Sequence, residues 1–414
     1  MPESTAALAV AGGAPALSDL PPFPSWPQGT VEEENGLLAV LRSGKWGSAQ
    51  GDVVASFEGE FAEYQGSRHA VAAANGTVAL VVALRALGVG LGDEVIVPSY
   101  TFFATAAAPL FVGALPVFVD IDPRTHLMDP VAVRSAITDR TKAIIPVHIA
   151  GNIADMDALL QLKQEFGIPI IEDAAQAAGA YYKGGPVGAI GDIGTFSFQS
   201  SKNIASGEGG ILVTNDDALS DAIYSMVNVG RVRGGGWYEH RALGYNLRLS
   251  EFQGAVLRAQ LRRHPEQQEL RAANAARLRA GLIDCAGIEL PPENPDVTAH
   301  GHHLFMMRFP ELGRAGLRDA AVRALQAEGV PGVFPGYVAL HQNEALLAES
   351  ASIAVRLGLS VPEAACPMTE LVCADTIWLG QHVLLGTENQ INGVIQALRK
   401  VAGAVEELRA IAAE

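Results

Sequence analysis

Short apolar runs recur along the chain as far as Thr214, and amphipathic stretches separate them. The runs 69–73, 94–97, 116–119, 143–147, 168–172, 193–198 and 211–214 predict strands buried on both faces, because a strand inside a parallel sheet reads as a continuous apolar run. Stretches such as 129–137 and 156–166 predict helices between them. Strand–helix alternation of this kind implies a mostly parallel sheet with helices on both faces. The character changes after Ser250. Residues 251–284 are rich in Ala, Leu, Arg, Gln and Glu and predict a long helix, with Pro265 starting a second helix or kinking the first. The remainder predicts a smaller α+β region that ends in a helix over 388–412. Residues 1–28, with prolines at 21, 22, 24 and 27, predict an N-terminal arm. The expected organisation is therefore an arm over 1–28, a large α/β domain over 29–250, and a linking helix with a small domain over 251–414.

Residues 95–119 contain no charged side chain and are long enough to span a bilayer. Pro98, Pro109 and Pro116 interrupt them, so strand, helix and strand is the better reading. The formal net charge of −16 argues against nucleic acid and anionic membranes as partners. Cys285, Cys366 and Cys373 are odd in number and lack metal-ligand spacing, which predicts no metal site and points to a reducing cytoplasm. No basic leader with a cleavable apolar core is visible.

Three segments carry chemistry. Lys202 sits in Thr195-Phe-Ser-Phe-Gln-Ser-Ser-Lys-Asn-Ile-Ala-Ser-Gly-Glu-Gly-Gly210. Burial makes a lysine easier to deprotonate, and a neutral amine can hold an aldehyde as a Schiff base, the way pyridoxal phosphate is stored. The same run also reads as a strand end before a glycine turn. Asp173 ends the apolar run at 168–172, where ligands bind in open α/β sheets. It suits either an anion beside a pyridinium nitrogen or a helix N-cap. Asn75-Gly-Thr77 joins a strand to a helix, where small residues let backbone N–H groups approach a phosphate.

The chain resembles the DegT/StrS-type sugar aminotransferases, a branch of the fold-type I pyridoxal phosphate enzymes. The resemblance runs from about residue 20 to the C-terminus. It is carried by Asn75-Gly-Thr-Val-Ala-Leu80, Val97-Pro-Ser-Tyr-Thr-Phe-Phe-Ala-Thr105, Pro146-Val-His-Ile-Ala-Gly151, Glu172-Asp-Ala-Ala-Gln176, Phe196-Ser-Phe-Gln-Ser-Ser-Lys202, Gly207-Glu-Gly-Gly210 and Gly244-Tyr-Asn-Leu-Arg-Leu-Ser-Glu251, in that order. It implies a fold-type I α/β architecture, with a mostly parallel seven-stranded sheet between helices and a smaller C-terminal α+β domain. It makes Lys202 the Schiff-base lysine, Asp173 the pyridinium partner and Gln176 the neighbour of the ring hydroxyl. Phe102 falls on the aromatic that stacks on the cofactor, where many relatives have Trp. Gly76, Thr77 and Ser197 fall on the phosphate cup. Asn246 falls on a residue that reaches the phosphate from the partner subunit, which implies a homodimer with shared active sites.

A narrower likeness, to keto-cyclitol (inosose) aminotransferases and 3-amino-5-hydroxybenzoate synthases, rests on Pro335-Gly-Tyr-Val-Ala-Leu-His341 and Ile377-Trp-Leu-Gly-Gln-His-Val-Leu-Leu385. The openings Pro21-Pro-Phe-Pro-Ser-Trp-Pro27 and Gly44-Lys-Trp-Gly-Ser48 fit it too. This likeness implies ping-pong transfer from L-glutamine, or L-glutamate, to a keto-cyclitol or keto-sugar. His148, Tyr337, His341 and His382 are the candidate contacts to substrate hydroxyls. Ala178 and Gly380 depart from the likeness, since His is frequent at both positions. The alternatives are a benzoate-forming synthase, a nucleotide-keto-sugar aminotransferase and a non-catalytic regulator on the same scaffold. A sugar dehydratase of this fold would carry His in place of Lys202.

Overall fold

The structure is a computed structural model and describes residues 7–412; the ends of the expected arm and of the C-terminal region, residues 1–6 and 413–414, lie outside the described residues. The predicted apolar runs form β1 (His69–Ala73), β2 (Glu94–Pro98), β3 (Leu115–Val119), β4 (Thr141–Ile144), β5 (Ile171–Asp173), β6 (Ile193–Ser197) and β7 (Gly210–Thr214). A four-stranded ladder, β1-β7-β6-β5, and a three-stranded ladder, β3-β2-β4, make up these strands. Parallel bridges from Ile144 to Ile170 and from Val147 to Asp173 join them into one seven-stranded sheet. Only β7 runs antiparallel to its neighbours. Regular pairing is shorter than expected at β4 and β5, where Pro146 and Pro169 have no N–H to give the ladder.

Both faces of this sheet are covered. On β2, Val95 and Val97 pack with helices Gly76–Ala86 and Phe103–Phe111, while Ile96 faces the opposite core. That opposite core holds Phe57, Phe61, Phe196 and Phe198, whose rings meet edge to face at 5.1–5.5 Å. Each fully buried phenyl ring stabilises the fold by about 2 kcal/mol. The uncharged stretch at 95–119 is β2, helix Phe103–Phe111 and β3; among the described residues no helix is long and apolar enough to cross a membrane.

A second sheet is built from β8 (Leu304–Arg308), β9 (Val333–Pro335) and β10 (Thr376–Gly380), antiparallel in the order β8-β10-β9. It has its own core, which includes Met307, Leu325, Ile377 and Leu398. Leu8 and Leu17 of the N-terminal segment insert into that core, and the Glu328 carboxylate accepts from the backbone N–H groups of Ala9 (2.8 Å) and Ala16 (2.9 Å). Helix Glu251–Leu282 runs through Pro265 without ending, contrary to a second start there. The helix expected over 388–412 is two helices, Glu388–Ala402 and Val405–Ala412, divided at Gly403.

Candidate active site

The C-terminal ends of the strands open into a cavity of about 1950 Å³. Parallel strands place these ends together, so residues far apart in sequence converge there. Gly76 and Thr77 follow β1, Phe102 follows β2, Asp173 ends β5 and Ser197 ends β6; Lys202 lies in the loop between β6 and β7. All six line the cavity, as do Gln176, Tyr337 and His382.

The turn after β1 is made tight by two glycines. A Cβ on Gly76 would lie 2.8 Å from Ser197 Cβ, and one on Gly210 would lie 2.5 Å from the Asn75 backbone. Asn75 caps helix Gly76–Ala86 by accepting from the Val78 N–H at 3.0 Å. The N–H groups of Gly76 and Thr77 stay outside the helix's own ladder, at the positive end of its dipole. This is a cradle for an anion, with the Ser197 hydroxyl beside it.

Lys202 is half-buried as a residue, but burial around its amine pulls the pKa down to about 8, against the opposing pull of the Asp173 carboxylate. Burial pushes the Asp173 carboxyl above its usual range; Thr105, the Ala175 N–H, Lys202 and His148 oppose that push. Thr105 Oγ1 donates to Asp173 Oδ2 at 2.8 Å and lies 3.1 Å from Thr101 Oγ1, so the carboxylate is held by a chain of hydroxyls. Gln176 Oε1 accepts from the Ala150 N–H at 2.6 Å, which fixes the amide and leaves its Nε2 to donate to the Tyr337 hydroxyl at 3.0 Å. The Tyr337 proton is then free to be donated into the cavity. Phe102, 58% exposed, presents its ring to the cavity and is no part of a core.

Two of the expected substrate contacts do not reach the cavity. His148 is fully buried, accepts from the Ala154 N–H at 3.3 Å and places Nε2 3.0 Å from Glu172, so both ring nitrogens are engaged behind the site. His341 is likewise engaged, with Nδ1 2.6 Å from Ser99 Oγ and Nε2 3.2 Å from Glu370. His382 does line the cavity, and Gly380 makes room for it: a Cβ there would lie 3.1 Å from the imidazole. The departure at Gly380 and the histidine two residues on thus belong together.

Asn246 is exposed and bridges Asn228; its neighbours Tyr245 and Leu247 line the cavity, and Asn246 does not.

Three groups at the site carry no local sequence signal. Trp26 Nε1 donates to the Lys202 carbonyl at 3.1 Å and lies over the fully buried Arg271, whose guanidinium donates to Gln381 Oε1 at 2.7 and 3.0 Å. His303 lines the cavity and contacts Asn203, the residue after Lys202.

Residues 27–399 match the DegT/DnrJ/EryC1/StrS aminotransferase family. A 3-amino-5-hydroxybenzoate synthase of Amycolatopsis mediterranei is 39% identical over 387 residues, covering 91% of this chain and 97% of the relative. An L-glutamine:2-deoxy-scyllo-inosose aminotransferase of Streptoalloteichus tenebrarius is 38% identical over 430 residues, covering 97% and 99%. A crystal structure of 3-amino-5-hydroxybenzoic acid synthase superposes with a TM-score of 0.86 at 37% identity, covering 94% of this chain and 99% of that one. With the fold, the cradle and the lysine–aspartate pair in place, the chain belongs to the DegT/DnrJ/EryC1/StrS aminotransferase family.

Proposed function

We propose that this protein is a pyridoxal phosphate-dependent aminotransferase that carries an amino group from L-glutamine, or L-glutamate, to a free keto-cyclitol. The observation that carries the proposal is a single cavity joining an amine held near neutrality (Lys202), a buried carboxyl (Asp173) and an anion cradle (Gly76, Thr77, Ser197). These residues fit the cofactor. The cradle would hold the phosphate, Asp173 the ring nitrogen, Gln176 the ring hydroxyl and Phe102 the ring face. The bound cofactor supplies an electron sink for the donor's α-carbon.

The protein supplies the rest. Lys202 is the base that takes the α-proton and returns it, and an amine with a pKa of about 8 is matched to that task near neutral pH. Thr105 fixes the Asp173 carboxylate, and Ala150 fixes Gln176 through its backbone. Tyr337 and His382 are the side chains of the original four that remain available to substrate hydroxyls.

The lining favours a free ketone over a nucleotide-linked one. Among the described residues that line the cavity there is no arginine, and Lys202 is the only lysine, so no cation is left in this chain for a diphosphate. The relatives named as inosose aminotransferases support the cyclitol and the glutamine donor. A benzoate-forming synthase is the second reading, favoured by the aromatic wall of Phe23, Trp26, Phe334 and Trp378 and by the synthase relative.

The position of Asn246 supports a homodimer in which it serves the partner's site. The exposed Trp237, Tyr238 and Leu243 on the same segment suit such an interface. Mixing inactive Lys202→Ala protein with inactive Asn246→Ala protein should then restore part of the activity; no recovery in mixed dimers overturns shared sites.

The test of function is an absorbance titration. Protein loaded with pyridoxal phosphate should be yellow, and L-glutamine should bleach it with release of a keto acid. Keto-cyclitols should restore the colour where nucleotide keto-sugars do not. An aminodehydroshikimate-type compound that instead produced an aromatic absorbance would favour the synthase. A protein that bound the cofactor but ignored every amino donor would sink both readings.

A further inference from the structure

His303 is an imidazole in the cavity that the mechanism above leaves unused. It is 6% exposed and lines the cavity just before β8. Its main chain is held in place. The His303 N–H donates to the Ala150 carbonyl at 2.9 Å, and the Ala150 N–H donates to Gln176 Oε1 at 2.6 Å, so one residue fixes both. Ala150 itself takes a left-handed backbone, with φ of 60°, which a non-glycine residue adopts only at a cost. Gly301 crosses beside it so closely that a Cβ there would lie 2.9 Å from the Cα atoms of Gly151 and Ala177.

The tautomer is fixed as well. Asn203 Nδ2 donates to the Gly301 carbonyl at 2.8 Å and lies 3.5 Å from the His302 carbonyl. Carbonyl oxygens only accept, so the Asn203 amide cannot be reversed and Oδ1 is the atom 3.0 Å from His303 Nδ1. Oδ1 also only accepts, so Nδ1 carries the proton and Nε2 is a bare lone pair. Nε2 bonds to no described residue and is not sealed inside the protein; it opens on the cavity.

We propose that His303 is a substrate-binding residue whose Nε2 accepts a hydrogen bond from a neutral donor group of the substrate, a carboxamide N–H or a ring hydroxyl, and turns away a carboxylate. The reason is the lone pair. A carboxylate carries only acceptors, and two acceptors face to face repel. Glutamine and glutamate differ in that one group, so an acceptor set at this place prefers glutamine. No arginine lines the cavity among the described residues, and Lys202 is committed to the chemistry, so nothing there compensates a second carboxylate. A hydroxyl of a keto-cyclitol meets the same requirement in the other half of the reaction. Burial, with the charges of Lys202 and Arg271, holds the ring well below the ordinary imidazole pKa, so the lone pair persists across the neutral range. The identity of the ligands rests on the aminotransferase reading; the bare nitrogen does not.

The experiment follows the His303 Nε2 resonance by ¹⁵N spectroscopy of the full-length protein loaded with pyridoxal phosphate. Three compounds are added separately: α-methyl-L-glutamine and α-methyl-L-glutamate, which have no α-proton to lose, and a keto-cyclitol, which has no amine to give. Without them, Nε2 should resonate as an unprotonated nitrogen. A shift toward the hydrogen-bonded position with the glutamine analogue, absent with the glutamate analogue, identifies the carboxamide as the donor group. A shift with the keto-cyclitol identifies a hydroxyl. His303→Phe should then weaken binding of the compound that moved the resonance roughly 10- to 100-fold and leave the glutamate analogue within about twofold. His303→Gln, which can present an oxygen in the same direction, should recover part of that loss.

A resonance that none of the three compounds moves at millimolar concentration overturns the proposal. So does an equal shift with the glutamate analogue, or a ligand-free spectrum with the proton on Nε2. The wild-type spectra need no variant, so a His303→Phe protein that failed to fold would not blunt the test. If the wild-type protein transferred no amino group while the resonance still moved, the aminotransferase reading would fall and the acceptor would stand.

Discussion

Glu172 and Asp173 are consecutive acids on β5, and the pleat sends them to opposite sides of the sheet. Glu172 faces inward. Its carboxylate accepts from the N–H groups of Gly188 (2.7 Å), Ile190 (2.8 Å) and Gly191 (2.5 Å) and sits 3.0 Å from His148 Nε2. Asp173 faces the cavity with two bonds, from Thr105 and the Ala175 N–H, and a lysine as its nearest opposite charge. One acid has its hydrogen-bonding capacity filled by the protein and organises a loop. The other is buried with capacity to spare. Full satisfaction is a mark of structure here, and incomplete satisfaction is a mark of chemistry reserved for something else.

Four measurements bear on this contrast. Lys202→Ala should lower amino transfer by roughly 10⁴-fold or more, because one group acts as both attachment point and base. Circular dichroism of that variant should match wild type; an active variant would remove the cavity side of the comparison altogether. Asp173→Asn comes next, with kcat/KM down by about 10²–10³ and no loss of unfolding free energy, since burial already opposes its charge. A destabilised Asp173→Asn protein would place Asp173 with Glu172 as a structural acid.

Glu172→Gln should show the reverse pattern. Unfolding free energy should fall by about 3 kcal/mol, because a neutral amide cannot accept from the same N–H groups and presents its own protons to them. The folded fraction should retain kcat within about threefold. Equal losses of activity in Glu172→Gln and Asp173→Asn would erase the distinction between the two faces.

The smallest effect concerns pH. The Lys202 pKa drops from 10.5 to about 8 on folding, so the folded state disfavours the ammonium. That penalty is fully present below pH 8 and disappears as pH rises through 10.5. Cofactor-free Lys202→Met protein should therefore gain on the order of 1–2 kcal/mol at pH 7, with the gain shrinking toward pH 10.5. A gain that did not depend on pH would show that packing, and not charge, is responsible.

The same contrast explains which parts of the molecule were legible from sequence. β2 and β3 were readable because, Glu94 at the start of β2 apart, both are continuous apolar runs of the kind a strand buried on both faces requires, and the three prolines ruled out a single span. Asp173 and Lys202 were readable because each ends a strand or follows one, where a parallel sheet gathers its ligands. His148 and His341 were misplaced because a histidine's role depends on what stands against its second nitrogen. Glu172 and Ala154 in one case, Ser99 and Glu370 in the other, are supplied by folding. His303 carries no sequence signal for the same reason: Asn203 and His303 are a hundred residues apart, and only the fold brings them into contact. Pro265 raised a false break because the surrounding helix is held by packing on both sides of it, which outweighs one lost backbone bond.

That helix has a consequence for how the molecule comes apart. Glu251–Leu282 is 32 residues long, about 48 Å of continuous rod. Leu257 and Leu261 near its start belong to the core of the large sheet, and Leu278 and Leu282 near its end belong to the core of the small one. Melting of either core strips one end of the same rod and leaves its apolar stripe in water, which weakens the other end's grip. The two cores are thereby tied into one cooperative unit, and a loss of packing under the small sheet reaches the cavity as a loss of folded protein, with no signal having to travel between them.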